Sequence, residues 1–183
     1  MDTTEEYRAM CEKAEEIERL WTARKGDFIW VKEGDYVDCY NEKEGCIYTV
    51  FESEGSLYFD SGISCGRSTD YNEEGYFAEL SEVPTAVWLP RQDQLQQIAF
   101  EDSKQKYPTY EGGKIARYIN LLSDFNDYIS FFHSQAILNQ GYIRIETLTI
   151  EQLWLMFVMN RIYHKSWDGE KWNRQSDLLD LVW

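Results

Sequence analysis

Two pairs of carboxylates stand close enough in the sequence to share chemistry: Asp124 with Asp127, and Asp168 with Glu170. Paired acids can exchange protons with a substrate, or hold a divalent cation when further oxygens converge on them. Neither pair falls in a recognised metal-ligand spacing. Asp168-Gly169 reads more simply as a turn, because an Asp side chain bonds nearby backbone and Gly accepts positive φ. The two histidines, His133 and His164, lie far apart in the sequence. His164 follows an apolar helical run, where a helix C-terminus favours an imidazolium and a local role. The four cysteines, Cys11, Cys39, Cys46 and Cys65, form no C-x-x-C pair and have no histidine at zinc-finger spacing. A nucleophilic thiol needs a base and an electropositive setting, which this acidic chain does not advertise. No nucleophile elbow, H-E-x-x-H, phosphate loop or dinucleotide fingerprint appears. These residues therefore point away from an enzyme, and no cofactor or metal is expected.

The acidic residues carry the stronger signal, because they are unevenly distributed. Between residues 33 and 82 there are thirteen: Glu33, Asp35, Asp38, Glu42, Glu44, Glu52, Glu54, Asp60, Asp70, Glu73, Glu74, Glu79 and Glu82. Only Lys43 and Arg67 oppose them, for a net −11 out of the chain's −15. Many stand at turns or alternate with apolar residues. Alternation sends apolar side chains to one sheet face and carboxylates to the other. Double-stranded DNA carries roughly one charge per 1.7 Å of axis, a density that a carboxylate-bearing sheet can approximate. Such a face could occupy a basic nucleic-acid channel on another protein. The candidate partner-binding set is Glu33, Asp35, Asp38, Tyr40, Glu42, Glu44, Glu52, Glu54, Tyr58, Asp60, Asp70, Tyr71, Glu73 and Glu74. Tyr40, Tyr58 and Tyr71 would serve as aromatic anchors. The competing reading is a solvated face whose charge only deters edge-to-edge aggregation.

The elements that must position these residues follow from periodicity. Thr3 with Glu6 fits a capping box, and Tyr7, Met10, Cys11, Ala14, Ile17, Leu20 and Trp21 then fall on one helical face. Phe28–Lys32, Tyr36–Tyr40, Cys46–Phe51 and Ser56–Phe59 are rich in aromatic and β-branched residues. Short Gly-containing turns separate them, which predicts an antiparallel meander. The stretch Asp60–Pro84 reads as either one more strand, near Gly75–Leu80, or a long ordered loop. Ala86–Leu89 is a short strand or a lead-in to a helix, with Pro90 suited to that helix's first turn. Helical spacing recurs over Gln92–Phe100 and over Lys114–Leu138. In the second, Ile115, Tyr118, Ile119, Leu122, Phe125, Ile129 and Phe132 form one stripe. Thr149 with Gln152 is another capping box, opening a run apolar on nearly every side through Tyr163, the mark of a buried helix.

The fold class expected is α+β: an N-terminal helix, an antiparallel meander of three to five strands, and a helical C-terminal region. One domain of 183 residues is expected, with an acidic sheet part over residues 1–85 and a mainly helical part over 86–183. A sequence pI near 4.5 disfavours direct nucleic-acid binding. The first residues lack the basic and apolar regions of a signal peptide, and no apolar run approaches a membrane span. A reduced, cytoplasmic setting in a bacterial cell is the expectation, without a membrane partner.

Three stretches also carry a family likeness. They are Val87-Trp88-Leu89-Pro90-Arg91-Gln92-Asp93-Gln94-Leu95-Gln96, the run from Glu151 through Trp154, Phe157 and Met159 to Trp167-Asp168-Gly169-Glu170-Lys171-Trp172, and the opening Met10–Ile17 with Trp21. Together they resemble small phage and prophage proteins of gut Firmicutes. Some such proteins are anti-CRISPR inhibitors of type II RNA-guided nucleases, which this chain resembles in length and charge. The resemblance implies a bacterial RNA-guided CRISPR nuclease as partner. It carries over no catalytic residue, and Trp88, Leu95, Leu153 and Trp154 in the shared stretches are expected in the core.

Overall fold

The computed structural model describes residues 1–32, 46–53, 56–60, 78–79, 86–106, 113–138 and 147–174. It is α+β, with antiparallel strands and helices in both halves of the chain. It divides into two compact units, one spanning Thr3–Pro90 and the other Met1–Asp2 with Arg91–Trp183.

The first unit opens with α1, Glu5–Glu12, capped by Thr4, whose hydroxyl accepts the Tyr7 N–H at 3.2 Å. The cap is thus one residue later than the Thr3 expected from the T-x-x-E spacing. The expected single helix is also broken. Ala14 adopts φ −89°, ψ 58°, which leaves the helical region, and a short α2, Glu15–Glu18, begins anew. The predicted inward face survives the break: Tyr7, Met10, Cys11, Ala14 and Ile17 are all buried, while Leu20 is exposed. Cys11 is buried there among apolar side chains, like a small hydrophobe.

Strands β1 (Phe28–Val31), β2 (Cys46–Ser53), β3 (Ser56–Asp60), β4 (Ala78–Glu79) and β5 (Val87–Trp88) form one sheet in the order β4-β3-β2-β1-β5. Every pairing is antiparallel. The expected strand Tyr36–Tyr40 lies outside the described residues. Of the two readings left open for Gly75–Leu80 and Ala86–Leu89, the strands β4 and β5 are the observed ones. Alternation is clean in β1, where Ile29 and Val31 are buried and Phe28 and Trp30 are half-buried. Ile29, Val31, Tyr48 and Val50 make the sheet core, with Trp21, Leu57 and Ala86 packed against it. Trp21 and Trp88 stack with ring centroids 6.1 Å apart. On β1's other side, the Arg8 guanidinium lies 5.4 Å from the Trp30 ring and the Lys32 ammonium 5.8 Å. Gly26, at φ 87°, makes a backbone turn that most side chains would strain. Its N–H donates to Val50 O at 2.7 Å, which joins the turn to β2.

The second unit is mainly helical. Helix α3 spans Gln92–Lys106. Arg91 rather than Pro90 stands at its start: the Gln94 side-chain oxygen accepts the Arg91 N–H, and Arg91 O accepts from the Gln94 and Leu95 N–H groups. Helix α4 spans Gly113–Leu138 and α5 spans Ile150–Tyr163. The α5 capping box is complete. Thr149 Oγ1 accepts the Gln152 N–H, and Gln152 Oε1 accepts the Thr149 N–H. Every residue from Trp154 to Met159 is buried, as its all-round apolar pattern predicts.

Packing in this unit is aromatic. Phe125 stacks on Trp154 at 3.9 Å, Trp154 and Phe157 meet edge-on, and Phe100 stacks on Tyr118 at 4.2 Å. Burial pushes the Tyr128 phenol upward from its ordinary pKa. The α4 stripe departs from expectation. Leu121 is buried and Phe125 packs inward, but Ile115, Ile119 and Leu122 stand 77%, 61% and 52% exposed. Leu121, outside the expected stripe, shows the reason: the buried side of α4 is turned away from Ile115 and Ile119, toward α3 and α5. A short hairpin, β6 (Lys165–Trp167) with β7 (Trp172–Arg174), follows α5.

Candidate partner-binding surface

Register decides which candidate acids share a face. In β2, alternation runs through buried Tyr48 and Val50 to Glu52, so Glu52 stands on the core-face line of the sheet. It is nevertheless exposed, although Leu57, opposite it in the register, packs against the sheet core. The β2–β3 register sets Asp60 opposite exposed Thr49 and Tyr58 opposite Phe51. The β3–β4 register sets Tyr58 opposite Glu79. The positions of Tyr58, Asp60 and Glu79 therefore fall on the face opposite the core, whereas Glu52 does not join them. Phe28, Trp30 and Thr49 share that outer face, and none is acidic. Glu33, Asp35, Asp38, Tyr40, Glu42, Glu44, Glu54, Asp70, Tyr71, Glu73 and Glu74 lie outside the described residues.

Asp124, Asp168 and His164 each have a local role, while Cys39 and Cys65 lie outside the described residues. Asp124 is paired with Arg161 rather than coupled to Asp127. Asp168 organises its turn: Oδ1 accepts the N–H groups of Glu170 and Lys171, each at 2.8 Å, and Oδ2 accepts from Asn173 Nδ2 at 2.6 Å. Slight burial opposes its ionisation. The Lys171 and Glu170 N–H groups, the Asn173 amide and the Lys171 charge outweigh that, and hold the carboxyl below its usual range. Gly169, at φ 102°, completes the turn. His164 ends α5 in the left-handed region at φ 55°, its N–H donating to Asn160 O at 3.1 Å. Among the described residues no three His, Cys, Asp or Glu side chains gather in a way that could hold a metal ion. No helix among them is long and apolar enough to cross a membrane.

Spacing missed two groups. Glu18 is largely buried beside β5, where Oε2 accepts the Trp88 N–H at 3.2 Å. Desolvation raises its pKa to about 7, against the lowering effect of that hydrogen bond. Its Oε1 and the Trp88 indole Nε1 are both buried with no hydrogen-bond partner among the described residues. In the sequence Glu18 looks like one more solvated acid on a helix rich in them. The second group is Arg117 with Arg161, which α4 and α5 bring to one cavity. No local motif could reveal a pair so distant in the sequence. The available signal was the scarcity of cations, 18 Lys and Arg against 33 acids.

No protein-family model, curated protein or solved structure matches this chain.

Proposed function

We propose that this protein is a non-enzymatic, phage-derived inhibitor that binds a type II RNA-guided nuclease through its acidic sheet region and blocks DNA engagement or cleavage. The observation that carries the proposal is the concentration of net −11 within residues 33–82. The basic channels that hold nucleic acid attract such a patch over roughly one Debye length, about 8–10 Å at ordinary ionic strength. Complementary charge speeds encounter and competes with the phosphate backbone for the same surface. Tyr58, placed by register among Asp60 and Glu79, would supply aromatic contact area within the charge.

A second reading is a phage structural or replication accessory protein whose acids only solubilise the sheet. It is favoured by the outer-face positions Phe28, Trp30 and Thr49, which interrupt the carboxylates, and by Glu52, which falls on the other face.

A pull-down with purified type II nuclease, with and without guide RNA, followed by DNA cleavage across a salt series, separates the two. The inhibitor reading expects stoichiometric binding that weakens with salt, and lost cleavage. Reversing charge at Glu42, Glu44, Glu52 and Glu54 together should abolish inhibition while leaving the circular dichroism spectrum unchanged. A folded quadruple variant that still inhibits like the parent would exclude this surface. Absence of binding at low salt would favour the accessory role.

A further inference from the structure

Arg161 and Arg117 border a cavity of about 300 Å³ in the helical unit. That is the small end of ligand-pocket volumes, typically ~300–1,000 Å³. Arg161 comes from the last turn of α5 and is held in place. It pairs with Asp124 on α4, and its Nε lies 3.5 Å from Asp102 on α3. Its guanidinium also sits 5.6 Å from the Phe157 ring centroid. Two aspartates thus offset its charge, and Asp124, which also lines the cavity, is neutralised in return.

Arg117 is different. Like that of Arg161, its Nε is buried with no hydrogen-bond partner among the described residues, but Arg117 has no carboxylate in place of one: it makes no ion pair among those residues. Acids outnumber bases almost two to one in this chain. A half-buried guanidinium left without a carboxylate is therefore not explained by a shortage of partners. Buried polar groups are nearly always satisfied, and a missing acceptor points to a group supplied from outside. Guanidinium groups present a planar fork that matches carboxylate and phosphate oxygens.

The remaining lining extends that chemistry. Arg117, Asn120 and Asp124 recur at three and four residues, so they lie along one line of α4. Asn120 and Ser123 add neutral donors and acceptors at the cavity wall. The Ser103 hydroxyl is already donating to Phe100 O at 2.6 Å, so it faces a ligand only as an acceptor. Ser103 Oγ and Asp124 can accept from hydroxyl groups, while Arg117 takes an anion.

We propose that this cavity binds a small hydroxylated oxyanion, a phosphorylated sugar or a hydroxycarboxylate, with Arg117 as its anion anchor and Arg161 as the fixed wall. The site belongs to the helical unit and stands independently of the acidic surface.

The full chain can be titrated with glucose 6-phosphate, citrate or inorganic phosphate at constant ionic strength, following arginine Nε–Hε NMR signals. The expected result is a saturable shift of the Arg117 signal with glucose 6-phosphate or citrate, at a Kd of about 1 mM or tighter. Arg117→Gln should weaken binding about tenfold or more, and Arg117→Lys, which keeps the charge but loses the fork, should fall between. Arg19→Gln, at an exposed pair with Glu15, should bind like the parent. A response to inorganic phosphate alone would reduce the site to a simple anion hole and overturn the hydroxylated ligand. No saturable shift with any probe up to about 20 mM would overturn the site itself. So would equal binding by folded Arg117→Gln.

Discussion

Glu18 shows how one side chain can tie stability to pH. Its folded-state pKa, about 7, lies above the ordinary 4.5 because burial penalises the carboxylate. The folded protein therefore holds the proton more tightly than the unfolded chain does. Below the unfolded pKa both states are protonated and the group is neutral in its effect. As pH rises from about 4.5 to about 7 the unfolded chain ionises first, and stability falls across that window. The shift corresponds to roughly 3 kcal/mol at most. Glu18→Gln removes the charge while retaining an oxygen to accept the Trp88 N–H. It should raise stability at pH 8 by about 1–2 kcal/mol and make no difference near pH 4. Thermal unfolding of both proteins across that pH range checks this, and a pH-independent difference would refute it. Nothing local in the sequence distinguishes Glu18 from Glu15 or Glu16. Only the placement of Trp88, some seventy residues later, removes its water.

At the scale of elements, boundaries depended on caps and the sheet on its register. The α5 box was legible because both partners sit three residues apart and need only each other. The α1 cap was misplaced by one residue because Thr3 and Thr4 are adjacent and both precede acids. Geometry chose Thr4, whose hydroxyl reaches the Tyr7 N–H. Thr149 does more than its motif implies, since its hydroxyl also donates to Asp2 Oδ2 at 2.6 Å. Thr149→Ala removes both contacts and should destabilise the helical unit by about 1–2 kcal/mol, measured by urea unfolding. Thr149→Ser should retain most of that stability. The α4 stripe held in part: Tyr118, Phe125, Ile129 and Phe132 are half-buried, while Ile115, Ile119 and Leu122 are exposed. Ile115 and Ile119 obey helical periodicity, but the side of α4 that packs on α3 and α5, marked by Tyr118, Leu121 and Phe125, is turned away from them.

At the scale of the whole molecule, a charge of −15 acts on itself. Mutual repulsion among carboxylates opposes the compact state, and salt screens it. Raising NaCl from about 20 to 300 mM should increase Tm by a few degrees, since the Debye length falls from roughly 20 Å to under 8 Å. The same salt should weaken binding to a basic partner. Under the proposed function, folding and recognition would respond to ionic strength in opposite directions, and measuring both on one sample would distinguish lost affinity from lost structure. A Tm that falls with salt would instead indicate that attractive pairs, such as Arg161 with Asp102 and Asp124, dominate the balance.

The amino-acid sequence by itself determined what depends on neighbours a few residues apart. It specified the α+β class, the strands at Phe28, Cys46 and Ser56, the all-round burial of α5, the Asp168 turn and the crowding of acid between residues 33 and 82. Tertiary structure alone decided the rest, because each remaining feature needs partners far apart in the chain. Strand register separated Glu52 from the positions of Tyr58 and Asp60. Packing against Trp88 desolvated Glu18. Helix packing gave Asp124 to Arg161 and brought Arg117 to the same cavity. Periodicity names the face a residue occupies, but only the fold supplies what that face meets.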